Sequence, residues 1–499
     1  METHRNLIVF ICVALYMALC LVVGIWALKR TKSTQDFFMA GRTLGVWITA
    51  MAVFSSTLSG FGFVGGPGLV YMMGMSSVWM VISASIGYSL SFFLLGKRLR
   101  LFAELRNSIS LPDVVAARYR SETSRFLTAL VILLGVIGYL GAQIKAMATV
   151  LLDILSNVAW MPAMSLEVTM AISVAVLVFY CMTGGIVASV YTDLVQGIIM
   201  VVAAILVFFA ALNAVEGGLG GMATTIMQDD PEAISPWGTL GMMGCLSWFF
   251  LFALGGCGQP HVITKMMMTR NVGDAQKILP VSVVGYSLAA LLWIIIGLSI
   301  RALVLQGQHP ELTGGDEAAS QFLQHYAPPL LAGIVFAGLF AAIMSTADGF
   351  LNIGAAALVH DMPKAIRKRG LKNELFWARM ATLGIAVGSA FFVLYSPQDM
   401  IALLGTFGWG TFAAALVPTV AIGFNWKRAS ATAANTAMIA ALLIIFGVEL
   451  CVKYLGFSMP YGISSGTIAL IISLTLFFGI SLFSKPPVLD PDIEAVMDL

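Results

Sequence analysis

Apolar stretches long enough to cross a lipid bilayer recur from one end of this sequence to the other. A hydrocarbon core of about 30 Å takes roughly 20 consecutive apolar residues in a helix. Such segments fall at about 7–28, 44–71, 75–95, 126–154, 165–183, 190–214, 238–258, 279–303, 328–358, 377–396, 400–424, 430–450 and 460–483. The pattern predicts an all-α polytopic membrane protein with about 13 transmembrane helices. Charge agrees: only 10 % of the 499 residues are charged, against roughly 25 % in an ordinary soluble domain. Lys plus Arg number 27 and Asp plus Glu 25. That balance excludes a general polyanion binder, so no nucleic-acid partner is expected; the lipid bilayer is.

The basic residues set an orientation. Cytoplasmic loops carry an excess of Lys and Arg. Lys29, Arg30, Lys32 and Arg42 follow the first span, and Lys97, Arg98, Arg100, Arg106, Arg118, Arg120 and Arg125 follow the third. Lys265, Arg270 and Lys277 follow the seventh, and Lys364, Arg367, Lys368, Arg369, Lys372 and Arg379 the ninth. Lys427 and Arg428 follow the eleventh, and Lys485 the last. Arg5, Arg301 and Lys453 lie near the opposite side, where the loop 215–237 has four acids and no base. This reading puts the N-terminus outside and the C-terminus inside a plasma membrane. The first span is too long and too poorly preceded by cations for a cleaved signal peptide.

Two spans are poor material for continuous helix. The second reads Ser55-Ser56-Thr57-Leu58-Ser59-Gly60-Phe61-Gly62-Phe63-Val64-Gly65-Gly66-Pro67-Gly68, and the seventh ends Gly255-Gly256-Cys257-Gly258-Gln259-Pro260-His261. Glycine clusters with proline point to discontinuous helices whose freed carbonyls face a cavity. The same material could instead be small-residue helix packing. If spans two to six form one five-helix repeat and spans seven to eleven another, the broken helix leads each, and the odd count inverts one against the other. The organisation expected is an N-terminal helix and loop at 1–43, a first repeat at 44–214, an extracellular loop at 215–237, a second repeat at 238–424, two further helices at 425–484 and a loosely ordered cytoplasmic tail at 485–499.

Few charges sit at membrane depth, where they are costly and usually functional. Asp348 follows Ser345-Thr346-Ala347 in span nine, so a carboxylate and two hydroxyls are offered to a small hard cation. Asp193 opens span six within Tyr191-Thr192-Asp193-Leu194-Val195-Gln196. There it can hold a cation or simply favour a helix start. Lys145 stands alone in span four and can meet a solute carboxylate, pair with an acid or snorkel. Tyr139 and Gln143 share its helix, and Trp248, Phe252 and Gln259 of span seven are candidate cavity linings. His4, His261, His309, His325 and His360 show no metal-ligand spacing, and the six Cys no CxxC pair, so no transition metal is expected. Without a GxxxxGK[ST] loop or any catalytic constellation, the chain reads as a non-enzyme that does not use ATP.

Ala341-Ala342-Ile343-Met344-Ser345-Thr346, Tyr191-Thr192-Asp193 with Gln196-Gly197, and Gly258-Gln259-Pro260-His261 resemble segments of the sodium:solute symporter family. That family includes bacterial proline, pantothenate, sialic acid and galactose symporters, and the likeness extends over nearly the whole chain. It implies a ten-helix inverted-repeat core and secondary active transport of a small organic solute, with Na⁺ as coupling ion and no organic cofactor. It implies a sodium site of the backbone carbonyls of Ser55, Leu58 and Ala342 and the hydroxyls of Ser345 and Thr346. The sialic acid members imply a second cation position at Asp193, Thr346 and Asp348, where this chain has a carboxylate in place of the last hydroxyl. Solute-site positions are Ser56, Thr57, Tyr139, Gln143, Lys145, Phe252, Gly256 and Gln259. Thr57, Phe252 and Gly256 depart from the proline members, which carry Asp, Trp and Tyr there, so the solute wall differs. Lys145 favours an amino acid or another carboxylate-bearing solute. Proton- or Li⁺-coupled symport is the alternative, and a non-transporting membrane sensor a further one. The oligomeric state is open, with a monomer among the possibilities.

Overall fold

The computed structural model describes residues 2–158, 160–395 and 401–499; for Glu2, Thr3 and Lys453 it describes the backbone alone. The span edges at 396 and 400, and the side chain of Lys453 used above for orientation, lie outside the described residues. Helices account for the fold, as an all-apolar segment in lipid requires: each backbone N–H and C=O must find its partner within the segment.

The membrane helices, in order, are α1 (Glu2–Leu28), α2 (Val46–Thr57), α3 (Gly66–Met73) and α4 (Val78–Leu105). A short α5 (Leu111–Tyr119) leads into α6 (Glu122–Ser156) and α7 (Leu166–Ala214). Then come α8 (Gly241–Gly255), α9 (Pro260–Met266), α10 (Ala275–Leu305) and α11 (Pro329–Ala356). Finally α12 (Glu374–Leu394), α13 (Ile401–Leu416), α14 (Ala431–Leu455), α15 (Ser465–Phe483) and a terminal α16 (Pro491–Met497).

Eleven helical stretches among the described residues are long and apolar enough to cross a membrane. Two exceed one crossing. At 1.5 Å per residue the 49-residue α7 would run about 74 Å if straight. It is broken at Gly185, whose φ of +54° and ψ of −151° take the chain out of helix, a conformation glycine tolerates without steric cost. The stretch from Phe61 to Leu105 is likewise interrupted at Gly74, φ +61°. The sequence divides its fifth span from its sixth, and its second from its third, at these two glycines.

Both expected breaks are present. α2 stops at Thr57, Leu58 leaves helix at φ −89° and ψ 76°, and a wide-turned segment at Phe61–Gly65 leads into α3. α8 gives way to a tight turn at Gly256–Gly258, Gln259 is extended, and Pro260 opens α9. Proline suits that first helical position because its missing N–H would be unsatisfied there anyway. α11 runs between the breaks and is buried along nearly its whole length from Ala332 to Ala356.

One expectation changes. The tail is ordered: Ile493, Val496 and Met497 of α16 are buried, and Arg106 reaches Asp490 at 2.8 Å and Asp492 at 2.7 Å. Lys427 holds Glu494 and Asp498 in the same way. The acids that made the tail look solvated are the partners that dock it. The loop 215–237 contains helices at Gly218–Asp229 and Pro231–Ile234.

Candidate functional site

The end of α2 is where the fold leaves backbone oxygen free. The last carbonyls of a helix have no N–H four residues on to bond. α11 crosses at this point. Thr346 donates its hydroxyl to the Ser56 carbonyl at 2.9 Å and to the Ala342 carbonyl at 3.2 Å. The Ser345 hydroxyl lies 3.3 Å from the same Ala342 carbonyl. Ser56 returns the contact, its hydroxyl 3.3 Å from the Ser345 carbonyl. Ser55, Leu58, Ala342, Ser345 and Thr346 are all buried at this crossing. The geometry concentrates neutral, hard oxygen donors from two helices in one spot, the donor chemistry a small hard cation takes.

Asp193 and Asp348 are buried beside it. Asp348 accepts from the Ser189 hydroxyl at 2.7 Å. Asp193 accepts from the Lys265 ammonium at 3.0 Å, and that ammonium also donates to the Ala52 carbonyl at 2.7 Å and to the Ser56 hydroxyl. This corrects the placing of Lys265 among loop cations. Helix resumes after the break at Gln259 and carries Lys265 into the core, where its side chain is 1 % exposed. The only signal in the sequence was its position five residues after Pro260, inside the resumed helix.

The solute candidates divide. Gln143 accepts the freed Gly60 N–H at 2.8 Å, and Tyr139 pairs with the Ser59 hydroxyl at 3.3 Å, so both attach to the α2 break. Gln259 donates to the Gly255 carbonyl at 3.0 Å and to the Trp409 carbonyl at 3.3 Å, at the second break. Phe252 lies 5.0 Å from the Trp409 ring and stacks 6.0 Å from Phe61. Thr57 bonds back to the Phe54 carbonyl at 2.6 Å, and Ser56 is spent on α11 and Lys265. Gly256 packs against the backbone of Gly87, which a Cβ would meet at 2.7 Å. Lys145 is half-buried, and its charge acts on Asp316, which caps the Ile401 amide at 3.0 Å. Burial pushes the Asp316 carboxyl up; the Ile401 amide and Lys145 draw it back. Trp248 lines a different space, an outer cavity of about 300 Å³ shared with Met73, Leu240 and Phe407 and lacking the cation-site oxygens.

His261 was passed over by reasoning confined to metal spacing. Its ring is buried 4.4 Å from the Phe350 ring and 6.2 Å from that of Tyr139, and neither nitrogen has a partner. Gln143 Nε2 and Gln259 Oε1 are also buried without partners. Unpaired polar atoms in a buried site are costly unless something else meets them.

A second polar cluster gathers at the other end of α11. Asp113 accepts from His360 Nε2 at 2.9 Å, from Lys364 at 3.0 Å and from Arg125. His360 Nδ1 meets Glu374 at 2.6 Å, and Ser110 donates to Asp361 at 2.6 Å. Asp113, His360 and Asp361 approach closely enough to hold a metal. Both imidazole nitrogens are already engaged and two cations occupy Asp113, so the arrangement is an ion-pair lock.

Comparison with known proteins agrees with this architecture. The sodium:solute symporter family matches residues 37–441. The sodium/proline symporter of Escherichia coli (strain K12) is 28 % identical over 502 residues, covering 98 % of this chain and 95 % of the relative. The sodium/pantothenate symporter of the same organism is 27 % identical over 451 residues, covering 89 % and 91 %. Among solved structures, a Na⁺-coupled sialic acid symporter in a substrate-bound outward-open state superposes with a TM-score of 0.77 at 19 % identity, covering 96 % and 98 %. With its broken helices and the oxygen-rich crossing of α2 and α11, the chain belongs to the sodium:solute symporter family.

Proposed function

We propose that the protein takes up a small organic solute, an amino acid or another carboxylate-bearing compound, with Na⁺ moving down its gradient. The observation that carries the reading is the α2 break docked through Ser56 on Ser345 and Thr346. In this reading Na⁺ is held by the carbonyls of Ser55, Leu58 and Ala342 and the hydroxyls of Ser345 and Thr346. It enters from outside and ties α2 to α11. Solute then binds at the two breaks, against Tyr139, Gln143, Phe252, Gln259 and His261. Each ligand stabilises the doubly loaded state more than either singly loaded one, which is what couples them. The membrane potential contributes about 2.3 kcal/mol per positive charge per 100 mV. One Na⁺ at that potential supports a solute gradient of roughly fifty-fold. The two five-helix repeats, 44–214 and 238–424, supply the inverted halves that alternate access, in a cytoplasmic membrane with the N-terminus outside and the C-terminus inside.

Proton coupling is the second reading, and one observation favours it: Asp348 Oδ2 is buried without a partner. Purified protein in proteoliposomes with an imposed Na⁺ gradient separates the two. Amino acids, monocarboxylates, pantothenate, sialic acids and sugars are offered in turn. Solute-dependent ²²Na⁺ flux is the expected result. Uptake that ignores Na⁺ and follows a pH jump would replace the first reading with the second.

A further inference from the structure

The transport cycle above makes no use of the buried Lys265. Its ammonium carries three N–H donors. They meet three oxygens of different kinds: the Ala52 carbonyl at 2.7 Å, the Asp193 carboxylate at 3.0 Å and the Ser56 hydroxyl. Ala52 and Ser56 belong to α2, Asp193 to α7 and Lys265 to α9. Carbonyl, carboxylate and hydroxyl oxygens converging on one buried point are the ligand set of a hard cation, and the cation present is the protein's own. Placing an ammonium in hydrocarbon is costly, and removing one partner of a buried pair leaves the other uncompensated. The pairing therefore works in both directions: Asp193 makes Lys265 affordable, and Lys265 leaves Asp193 no net charge to offer a free ion.

The position adjoins the proposed sodium site. Ser56 is shared, receiving Lys265 on its hydroxyl and Thr346 on its carbonyl. A second free Na⁺ at Asp193 would have to displace the ammonium or sit beside it. Asp193 Oδ1 is buried without a partner, so one coordinating oxygen becomes available as soon as the lysine charge is removed.

We propose that Lys265 is a tethered cation that takes Asp193 away from the second cation position, so that this symporter binds one Na⁺ per chain. The proposal rests on the sodium site at the α2–α11 crossing and adds the stoichiometry. It departs from the expectation that Asp193, Thr346 and Asp348 hold a second ion.

The test needs no knowledge of the solute. Purified protein in nanodiscs is titrated with ²²Na⁺ alone to saturation, and bound ions per chain are counted. Wild type is expected to bind one ion, lost in S345A/T346A. K265M leaves Asp193 uncompensated and is expected to bind two; K265R keeps the charge and stays at one. The double variant K265M/D193N removes both charges and returns to one. Two ions per wild-type chain, or a single ion in folded K265M, overturns the proposal. No Na⁺ bound by wild type, or an ion indifferent to S345A/T346A, would instead sink the sodium-site reading. If K265M does not fold, the wild-type count decides the matter by itself.

Discussion

The protein buries two clusters of charge, and they differ in how fully their central carboxylates are engaged. At one end of α11, Asp113 is saturated: it takes Arg125, His360 and Lys364, and one of its oxygens also caps the Ile109 amide. In the core, Asp193 has a single ionic partner and one idle oxygen, and Asp348 has a hydroxyl and one idle oxygen. Engaged oxygens rigidify what they join; the Asp113 cluster leaves one buried oxygen idle, Asp361 Oδ2, and the core leaves one on each of its two carboxylates. The first cluster pins α5 and α6 to the segment after α11. The second lies where α2, α7, α9 and α11 meet, beside the proposed sodium site.

The largest effect that would break this contrast is structural. D113A should destabilise the protein by about 3 kcal/mol or more, because Arg125, Lys364 and the His360 imidazole lose one buried acceptor. Thermal unfolding in detergent measures this; a loss under about 1 kcal/mol would make the cluster as slack as the core. Burial works to raise the Asp113 carboxyl, but His360, Arg125 and Lys364 hold it well below the usual carboxylate range. Its folded value lies below its unfolded one of about 4, so its contribution is present above that pH and is lost as pH falls further. Wild type should therefore lose stability on acidification below about pH 4 more steeply than D113N.

Next in size is the core itself. S345A/T346A should raise the Na⁺ concentration for half-maximal uptake at least about tenfold, the equivalent of about 1.4 kcal/mol, with little change in melting temperature. An unchanged Na⁺ dependence removes the ion from the α2–α11 crossing. Replacing His261 by Phe keeps an aromatic ring beside Phe350 and deletes both unpaired nitrogens. It should raise the solute KM several-fold while leaving the Na⁺ requirement in place, and an unaltered KM would return His261 to plain packing. The smallest effect is expected at Lys145. Its charge already acts on Asp316, so K145Q should move the solute KM less than about threefold, the scale of an exposed charge pair. A larger rise would make Lys145 a solute contact after all.

Much of this was legible before any coordinates. Spans are read from length and apolarity because a long, continuously apolar segment satisfies its own backbone in lipid as a helix. The breaks at Leu58 and Gln259 were legible because glycine, proline and hydroxyl residues cluster there. Ser345 and Thr346 could be singled out by resemblance, but their contact with Ser56, some 290 residues away along the chain, could not. The docked tail shows the opposite limit: an acidic, proline-rich end reads as solvated until Arg106 and Lys427 are seen beside it.

The sequence by itself determined that this chain lives in a membrane, where its helices break and that Asp193 and Asp348 lie at membrane depth. Tertiary structure decided which of those charges meet. Lys265 and Asp193 are 72 residues apart in the chain and 3.0 Å apart in the fold. A local pattern records that a charge must find a partner, because hydrocarbon penalises a lone one; only the packing of α7, α9 and α2 names the partner.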